Sequence, residues 1–230
     1  MTVSGQGVGD YNVDIVMCID GTGSMSPIIE EVKANAISFY QKFVDSMEEN
    51  DKGVDKLRIK VIVFRDYGCD DEPMVESQFF DLPDQTDAFK SFVNAIEAKG
   101  GGDGPENALE AIALALQSDW TIGGSKRRHA ILVFSDAPAL SLGERAGAKS
   151  YPSGLPTSIA QLGSWWEGTD QTLGSTYQAK AGRLVAFVPN AEPWTELQAW
   201  NRYWPAFSPA GTGLADVDIQ SAIDLMVGSF

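Results

Sequence analysis

Three Gly-rich or Ser-rich turns of this 230-residue chain carry short side chains with oxygen atoms. The first turn, Asp20 to Ser24, reads DGTGS; the second, residues 100–106, reads GGGDGPE; the third is Ser135-Asp136. A short Asp, Thr or Ser side chain on a rigid turn can hold an oxygen about 2.1 Å from Mg²⁺, more firmly than a long flexible side chain can. The chemistry that these turns favour is coordination of a hard divalent cation.

The turns come after predicted strands, which brings them to one edge of a sheet. Dense β-branched and apolar residues predict strands at Asn12–Ile19, Leu57–Phe64, Met74–Phe80 and Ala130–Phe134. In parallel sheets, ligands bind at the carboxyl ends of the strands, at the point where the strand order reverses. We therefore expect the three turns to meet at a single site.

Helical patterns fill the intervals between these strands. Apolar positions recur at helical spacing over 27–47, 87–98, 108–116, 157–166, 193–203 and 215–227, with a further strand at 183–188. This alternation predicts a Rossmann-like three-layer α/β fold, in which a mostly parallel central sheet of about six strands has helices on both faces. The length fits a single domain over residues 1–230, and residues 137–182 are predicted to be a loosely patterned insertion within it.

The chain is strongly acidic, with 32 Asp and Glu against 17 Lys and Arg and a formal net charge of -15. This charge repels nucleic-acid phosphates and anionic lipids, so we expect neither nucleic acid nor a membrane as a partner. Two cysteines, Cys18 and Cys69, make neither a disulfide framework nor a zinc site. With no signal-peptide pattern at the N-terminus, the sequence predicts a cytoplasmic protein.

The three turns lie in the segments VMCIDGTGSM, GGGDGPE and FSDAP. Together these motifs resemble the loops of von Willebrand factor A domains, whose first loop, Asp-x-Ser/Thr-x-Ser, begins a metal-ion-dependent adhesion site. The segment FRDYG after the second strand adds to the likeness. The likeness is greatest to bacterial and protozoan domains of this family, including those attached to alpha-type kinases, and it covers nearly the whole chain.

The resemblance implies a site for Mg²⁺, or for Mn²⁺ or Ca²⁺, with five ligand residues. Thr22 and Ser24 correspond to direct ligands, whereas Asp20 and Asp136 correspond to residues that bind the cation or hold its waters. Asp103 stands where integrin-type domains have Thr. Since three carboxylates exceed the charge of one divalent cation, we expect the open position to take water or a weak oxygen ligand rather than a partner's carboxylate.

The resemblance also implies that the protein binds another protein, without catalysis, through the edge of the sheet at which the three turns hold the metal. An ATPase or a kinase is the expected kind of partner, in a bacterial stress-response, tellurium-resistance-like or defence complex. Arg65, Asp66 and Glu106 are predicted to lie on the rim of the same edge, where they either form a local ion pair or take part in partner binding.

Two other functions stay open at this point. A Mg²⁺-dependent phosphohydrolase would use the same carboxylates, although Cys18 stands where phosphatases of the haloacid-dehalogenase type have their nucleophile, two residues before Asp20. Alternatively, the metal only stabilises the fold. A Ser hydrolase is disfavoured because His129, the single histidine, is expected at the amino end of a strand, opposite the sheet edge where the three turns meet.

Overall fold

The computed structural model describes residues 10–102, 104–174, 176–208 and 219–230. The strands are β1 (Tyr11–Asp20), β2 (Val54–Phe64), β3 (Met74–Glu76), β4 (Phe80–Leu82), β5 (Lys126–Phe134), β6 (Gly182–Pro189) and β7 (Tyr203–Ser208). The α-helices are α1 (Ile29–Glu49), α2 (Thr86–Asn94), α3 (Ala108–Leu116), α4 (Ile159–Trp166) and α5 (Ile219–Gly228). Short 3-10 turns, including one at Gly23–Met25, connect several of these elements.

The strands form one sheet in the order β3-β2-β1-β5-β6-β7, and β4 also pairs with β2. The pairs β1–β2, β1–β5, β5–β6 and β6–β7 are parallel, whereas β3 and β4 run antiparallel to β2. The chain runs from β1 to β2 on one side and later to β5 on the other. The strand order therefore reverses at β1, which is where a ligand site is expected.

Helices cover both faces of the sheet and bury it completely at its centre. Alternate residues of β1 point to opposite faces: Ile15 and Met17 pack with α1, α2 and α5, and Val16 and Cys18 pack with α3 and α4. Both faces of a parallel sheet are normally covered in this way, which explains the continuous apolar run of β1. The predicted three-layer α/β fold with a mostly parallel sheet is confirmed.

Two predicted elements differ from the structure. The predicted strand Met74–Phe80 is two short antiparallel strands, β3 and β4, which pair with different parts of β2. The predicted helix over 193–203 is wrong: only a 3-10 turn, Glu196–Ala199, forms there, and the edge strand β7 begins at Tyr203. Pro205 fits β7 because an edge strand can omit one backbone donor.

The side chains of β5 and α4 show how the edges of these elements are held. Lys126 to Arg128 belong to β5, and Lys126 lies over the ring of Tyr11 at 4.7 Å. Trp165 and Trp166 of α4 are both fully buried. Ser158 caps α4, because its Oγ accepts a hydrogen bond from the backbone N–H of Gln161.

The described part of the segment 137–182 packs against the sheet rather than standing away from it. Leu142, Leu155 and Leu162 are buried in the same cluster as α3. The carboxylate of Glu110 on α3 accepts hydrogen bonds from the Gly143 N–H at 3.3 Å and from the Tyr151 hydroxyl at 3.0 Å. These contacts hold the segment beside the edge where the three turns meet. Residues 215–218 of the predicted last helix lie outside the described residues.

Candidate metal centre

The central strands β1, β2 and β5 end at the same edge of the sheet. Asp20 is the last residue of β1 and pairs in register with Phe64, the last residue of β2. Its neighbour Ile19 pairs with Phe134, the last residue of β5. The first and third turns therefore begin side by side, as the sequence predicts for parallel strands.

Four of the five predicted ligand residues are joined by a continuous chain of hydrogen bonds. Asp20 Oδ1 accepts from the Thr22 N–H at 2.9 Å and from the Thr22 hydroxyl at 2.6 Å. Thr22 Oγ1 lies 3.1 Å from Ser24 Oγ, which donates to Asp136 Oδ1 at 2.9 Å. The fifth residue, Asp103, lies outside the described residues.

This cluster of Asp20, Thr22, Ser24 and Asp136, which we call the metal edge, has a buried side and an open side. Asp20 and Thr22 are 0% and 1% exposed, Asp136 is half-buried and Ser24 is exposed. Two carboxylates and two hydroxyls form a set of hard oxygen donors that suits Mg²⁺, Mn²⁺ or Ca²⁺. Half of this donor set consists of hydroxyls, and within the described ranges no three His, Cys, Asp or Glu side chains gather as a metal-binding group.

Burial makes the metal edge an unfavourable place for an unpaired negative charge. It raises the pKa of the Asp20 carboxyl to about 6, against the opposing effect of hydrogen bonds from Ser135 and Thr22. The neighbouring charge of Asp136 makes a smaller contribution to this raised pKa. A divalent cation at this point would favour the ionised carboxylates, since an opposite charge within about 4–6 Å stabilises the charged form. The residues present thus fit the cation that the resemblance implies.

Ser135 is a member of the site that the sequence reasoning left out of the ligand set. It is fully buried, and its hydroxyl donates a 2.6 Å hydrogen bond to Asp20 Oδ2. The same oxygen accepts from the Ala137 N–H at 3.2 Å. Ser135 therefore fixes the orientation of the Asp20 carboxylate. The signal in the sequence was its place directly between strand β5 and Asp136.

The second turn approaches the first through glycines. The Gly23 N–H donates to the Gly100 carbonyl at 3.0 Å, and Gly101 has φ of +77°. A Cβ atom on Gly101 would lie 2.8 Å from Thr22 Cβ and 2.9 Å from Glu106 Oε1. Gly101 is therefore required both for its backbone conformation and for the close approach of the two turns.

The three predicted rim residues have other positions and partners than expected. Arg65, Asp66 and Glu106 are 5%, 1% and 3% exposed, so their side chains are buried behind the metal edge. In the part of the chain that the structure describes, Arg65 forms no ion pair with Asp66 or Glu106. Its guanidinium donates instead to four backbone carbonyls: Gly21, Glu72, Glu97 and Lys99. Arg65 thus braces the turns that surround the site.

Asp66 forms an ion pair with Arg145 of the segment 137–182, a partner that the sequence analysis did not identify. Arg145 Nε and Nη2 donate to the two carboxylate oxygens of Asp66 at 2.8 and 2.9 Å. Burial works against the ionised form of Asp66, but the hydrogen bonds from Arg145 and Gly68 outweigh it and lower its pKa. No spacing along the chain indicates this pair, because the two residues are 79 positions apart.

Glu106 is a buried carboxyl with an unused oxygen. Its Oε2 has no hydrogen-bond partner among the described residues. Burial, and to a smaller extent the charges of Asp20, Asp66, Asp70 and Asp136, together raise the pKa of this carboxyl to about 8. Glu106 therefore lies close enough to the metal edge to be affected by its charges.

Comparison with known proteins agrees with this architecture. Residues 14–145, more than half of the chain, match the profile of the von Willebrand factor A domain family. The chain belongs to this family. It is also 28% identical over 147 residues to the alpha-protein kinase vwkA of Dictyostelium discoideum, and the match covers 64% of this chain and 22% of the kinase.

Solved structures share the fold at low sequence identity. A von Willebrand factor type A protein from Catenulispora acidiphila matches with a TM-score of 0.56 and 15% identity, over 95% of this chain and 43% of that one. The pilus adhesin SpaC from Lactobacillus rhamnosus GG matches with a TM-score of 0.56 and 9% identity, over 95% of this chain and 30% of the adhesin. These proteins are much longer than the present chain. In the described ranges, no helix is both long and apolar enough to cross a bilayer.

Proposed function

We propose that this protein binds another protein through a divalent cation, Mg²⁺ in the first instance, held at the metal edge. Asp20, Thr22, Ser24 and Asp136 would hold the cation, together with Asp103. The cation supplies a positive charge and an open coordination position at the protein surface. This proposal includes no catalytic activity.

The observation that carries the proposal is the 2.9 Å hydrogen bond from Ser24 to Asp136. It joins the first and third turns, and it places oxygen donors from both around the exposed hydroxyl of Ser24. A set of hard oxygen donors that is buried on one side and open on the other suits a cation that also binds an outside ligand. Because the three carboxylates Asp20, Asp103 and Asp136 together exceed the charge of one divalent cation, that ligand is a neutral oxygen or water rather than a partner's carboxylate.

The relatives support a protein-binding function and suggest the kind of partner. The family membership and the fold shared with a pilus adhesin agree with a binding domain, and the match to an alpha-protein kinase supports a kinase as partner. An ATPase in a bacterial stress-response, tellurium-resistance-like or defence complex is the other candidate. Two free cysteines suit a reducing compartment, which agrees with a cytoplasmic location.

The experiment is titration calorimetry with MgCl₂, followed by affinity purification with and without a chelator. The wild type is expected to bind one Mg²⁺ and to retain its partner only without chelator. Ser24→Ala should weaken both kinds of binding, whereas Ser141→Ala, which alters an exposed hydroxyl outside the metal edge, should change neither. Absence of Mg²⁺ binding by the folded wild type would refute the proposal.

The phosphohydrolase alternative is tested on the same samples. A generic phosphate ester is incubated with the protein and Mg²⁺. Turnover that is abolished by Asp20→Ala would show that the protein is a phosphohydrolase rather than a binding protein. His129 is too far from the metal edge to act as the base of a Ser hydrolase there, because it pairs in register with Asp14, six residues before Asp20 on β1. That separation corresponds to about 20 Å along a strand.

A further inference from the structure

We infer that the free edge of strand β3 binds an extended segment of a partner protein, in which apolar and basic residues alternate, as an added β-strand. This contact is separate from the proposed function, because β3 lies at the margin of the sheet and needs no cation to form hydrogen bonds. Three features of the molecule support it: the backbone of β3, a pocket on each side of the strand, and the charges around it.

The hydrogen bonds between β2 and β3 determine which backbone groups of β3 are used inside the sheet. β3 is the outermost strand, and in the described part of the chain no strand pairs with its other side. The Arg65 N–H donates to the Pro73 carbonyl at 2.8 Å, and the Ser77 N–H donates to the Val61 carbonyl at 2.9 Å. Hydrogen-bonded and non-hydrogen-bonded pairs alternate in an antiparallel ladder, so these two bonds set the alternation for the residues between them.

Met74 and Glu76 occupy the non-hydrogen-bonded positions of this ladder, opposite Phe64 and Ile62. Their N–H and C=O groups therefore point away from β2. These groups form no backbone hydrogen bond with any other segment that the structure describes. An unpaired strand edge of this kind is a template for one more strand, which would gain affinity from main-chain hydrogen bonds.

A pocket lies on each face of the sheet beside β3. On the side of α2, Val75 lines a cavity of about 190 Å³. On the side of α3, Met74 and Glu76 line a cavity of about 510 Å³. The side chains of Val75 and Met74 accordingly pack against the two opposite apolar clusters. Successive side chains of an added strand would point to alternate faces, one toward each pocket.

The smaller pocket suits an apolar side chain. Its apolar lining consists of Val63, Val75, Phe92, Ala95 and Ile96. Its two cations are engaged with groups of this chain: Arg65 donates to backbone carbonyls, and Lys99 pairs with Glu97 at 3.3 Å. A small aliphatic residue such as Val can therefore enter this pocket without meeting a free charge from Lys or Arg.

The larger pocket suits a basic side chain. Asp71, Glu72 and Glu76 line it. Glu76 pairs with Lys60 at 2.7 Å, but among the residues that the structure describes neither Asp71 nor Glu72 takes part in an ion pair. Both are exposed, so a Lys or Arg of a partner can reach them at little cost in desolvation. The two pockets together select a strand with alternating apolar and basic residues.

The same charges disfavour a second copy of this chain as the occupant. Two β3 edges that paired with each other would bring Asp71, Glu72 and Glu76 of one copy beside those of the other. Like charges across a pair of strands are destabilising. Short strands with charged residues are a common protection of sheet edges against pairing with themselves.

The test measures binding of a fluorescently labelled, end-capped peptide, KVKVKVK, by fluorescence polarisation, with Mg²⁺ and with a chelator. The wild type should bind this peptide under both conditions. The acidic peptide EVEVEVE should bind at least about tenfold more weakly, because it lacks the ion pairs with Asp71 and Glu72. Two N-methylated forms of KVKVKVK, one methylated on Lys and one on Val, test strand addition. Since alternate N–H groups of a strand point to opposite edges, only one form should lose affinity, by at least about tenfold.

Two double variants with the same change in net charge test the position of the contact. Asp71→Asn with Glu72→Gln removes the two unpaired carboxylates beside β3 and should weaken binding of KVKVKVK about threefold or more. Glu48→Gln with Glu49→Gln removes two exposed carboxylates at the end of α1 and should leave the affinity unchanged.

The contrary outcomes are specific. Failure of the folded wild type to bind KVKVKVK, equal binding of EVEVEVE, or equal affinity of the two N-methylated peptides would overturn the inference. So would a dimer of the wild type in sedimentation that KVKVKVK dissociates, because a second copy would then be the occupant of the edge. A wild type that binds the peptide but no Mg²⁺ would support this inference and contradict the proposed function.

Discussion

Arg145 and Asp66 form a bidentate ion pair that joins the segment after β5 to the turn after β2. The link continues toward the metal edge, because the Asp66 N–H donates to Asp70 Oδ2 and the Gly101 N–H donates to the same carboxylate at 3.0 Å. Gly101 in turn lies against Thr22. The position of the second turn therefore depends on a residue 44 positions further along the chain, Arg145.

Arg145→Met is expected to destabilise the fold, because it leaves the Asp66 carboxylate, 2% exposed, without its cation. Loss of one partner from a fully buried pair costs about 3–5 kcal/mol, and since Arg145 is one-third exposed we expect about 1–3 kcal/mol. Urea denaturation measures this change. Lys149→Ala, which removes an exposed cation of the same segment, should leave stability within about 0.5 kcal/mol of the wild type.

The double variant Asp66→Asn, Arg145→Met distinguishes the pair from general damage to the segment. If the cost arises from the unpaired carboxylate, the double variant should be more stable than Arg145→Met alone. Additive losses in the two single variants would contradict a direct interaction between them.

Ser135→Ala is expected to affect both stability and metal affinity. The variant removes the 2.6 Å hydrogen bond to Asp20 and leaves the Ala137 N–H without its acceptor, at a cost of about 1–2 kcal/mol. Since the Asp20 carboxylate also loses its fixed orientation, Mg²⁺ should bind more weakly in calorimetry. Unchanged affinity at reduced stability would show that Ser135 supports the fold but not the site.

Gly101→Ala separates a backbone cost from a contact cost when it is compared with Gly154→Ala. Both glycines have positive φ, +77° and +79°, but a Cβ atom at Gly154 would meet nothing within 4 Å. Gly154→Ala should therefore show only the left-handed backbone penalty of about 1–2 kcal/mol. Gly101→Ala should cost more, because its methyl group meets Thr22 and Glu106, and it alone should reduce Mg²⁺ affinity.

The stability of the fold should fall in mild acid because of His129. This histidine is fully buried and stacks on Trp120 at a centroid distance of 4.8 Å. Its Nδ1 accepts from the Gln178 N–H at 3.5 Å, and its Nε2 lies 3.1 Å from the Thr121 carbonyl. The pKa of His129 is lowered overall, mainly by burial and also by the charges of Arg127 and Arg58. The carbonyl of Thr121 and the charge of Asp14 act in the opposite direction but do not outweigh burial.

Because the folded protein binds this proton less readily than the unfolded chain, stability is lost as the pH falls below about 6.5, the unfolded value. His129→Asn does not titrate in this range, so the difference in unfolding free energy between wild type and variant should shrink toward acid pH. Urea denaturation between about pH 7.5 and 5 measures it. A difference independent of pH would contradict this role for His129.

The sequence predicted the parts of the fold that depend on local pattern. The strands β1 and β6 and the helix α3 appear close to their expected bounds, since each combines a strong apolar run with a turn signal at its end. The expected helix over 193–203 failed because closely spaced aromatic residues suit either a helix or a buried loop that leads into an edge strand. In the structure, Trp194 is fully buried within that loop.

The site could be predicted only as far as strand ends specify it. Asp20 and Asp136 were identifiable because Asp20 directly follows the strand predicted over Asn12–Ile19 and Asp136 comes two residues after the strand predicted over Ala130–Phe134. Arg65 was misplaced because its partners are backbone carbonyls, which carry no signal in the sequence. Arg145 could not be identified because it lies in a segment without periodicity.

The contact between Ser24 and Asp136 has a consequence for biosynthesis. The two residues are 112 positions apart, and β5 must lie beside β1 before they can meet. A ribosome delivers the first carboxylate and both hydroxyls long before it delivers the second carboxylate. A nascent chain that stops short of β5 would therefore carry three of the four donors of the metal edge without the strand that positions the fourth. Under the proposed function, the cation would bind only after the later half of the protein has emerged.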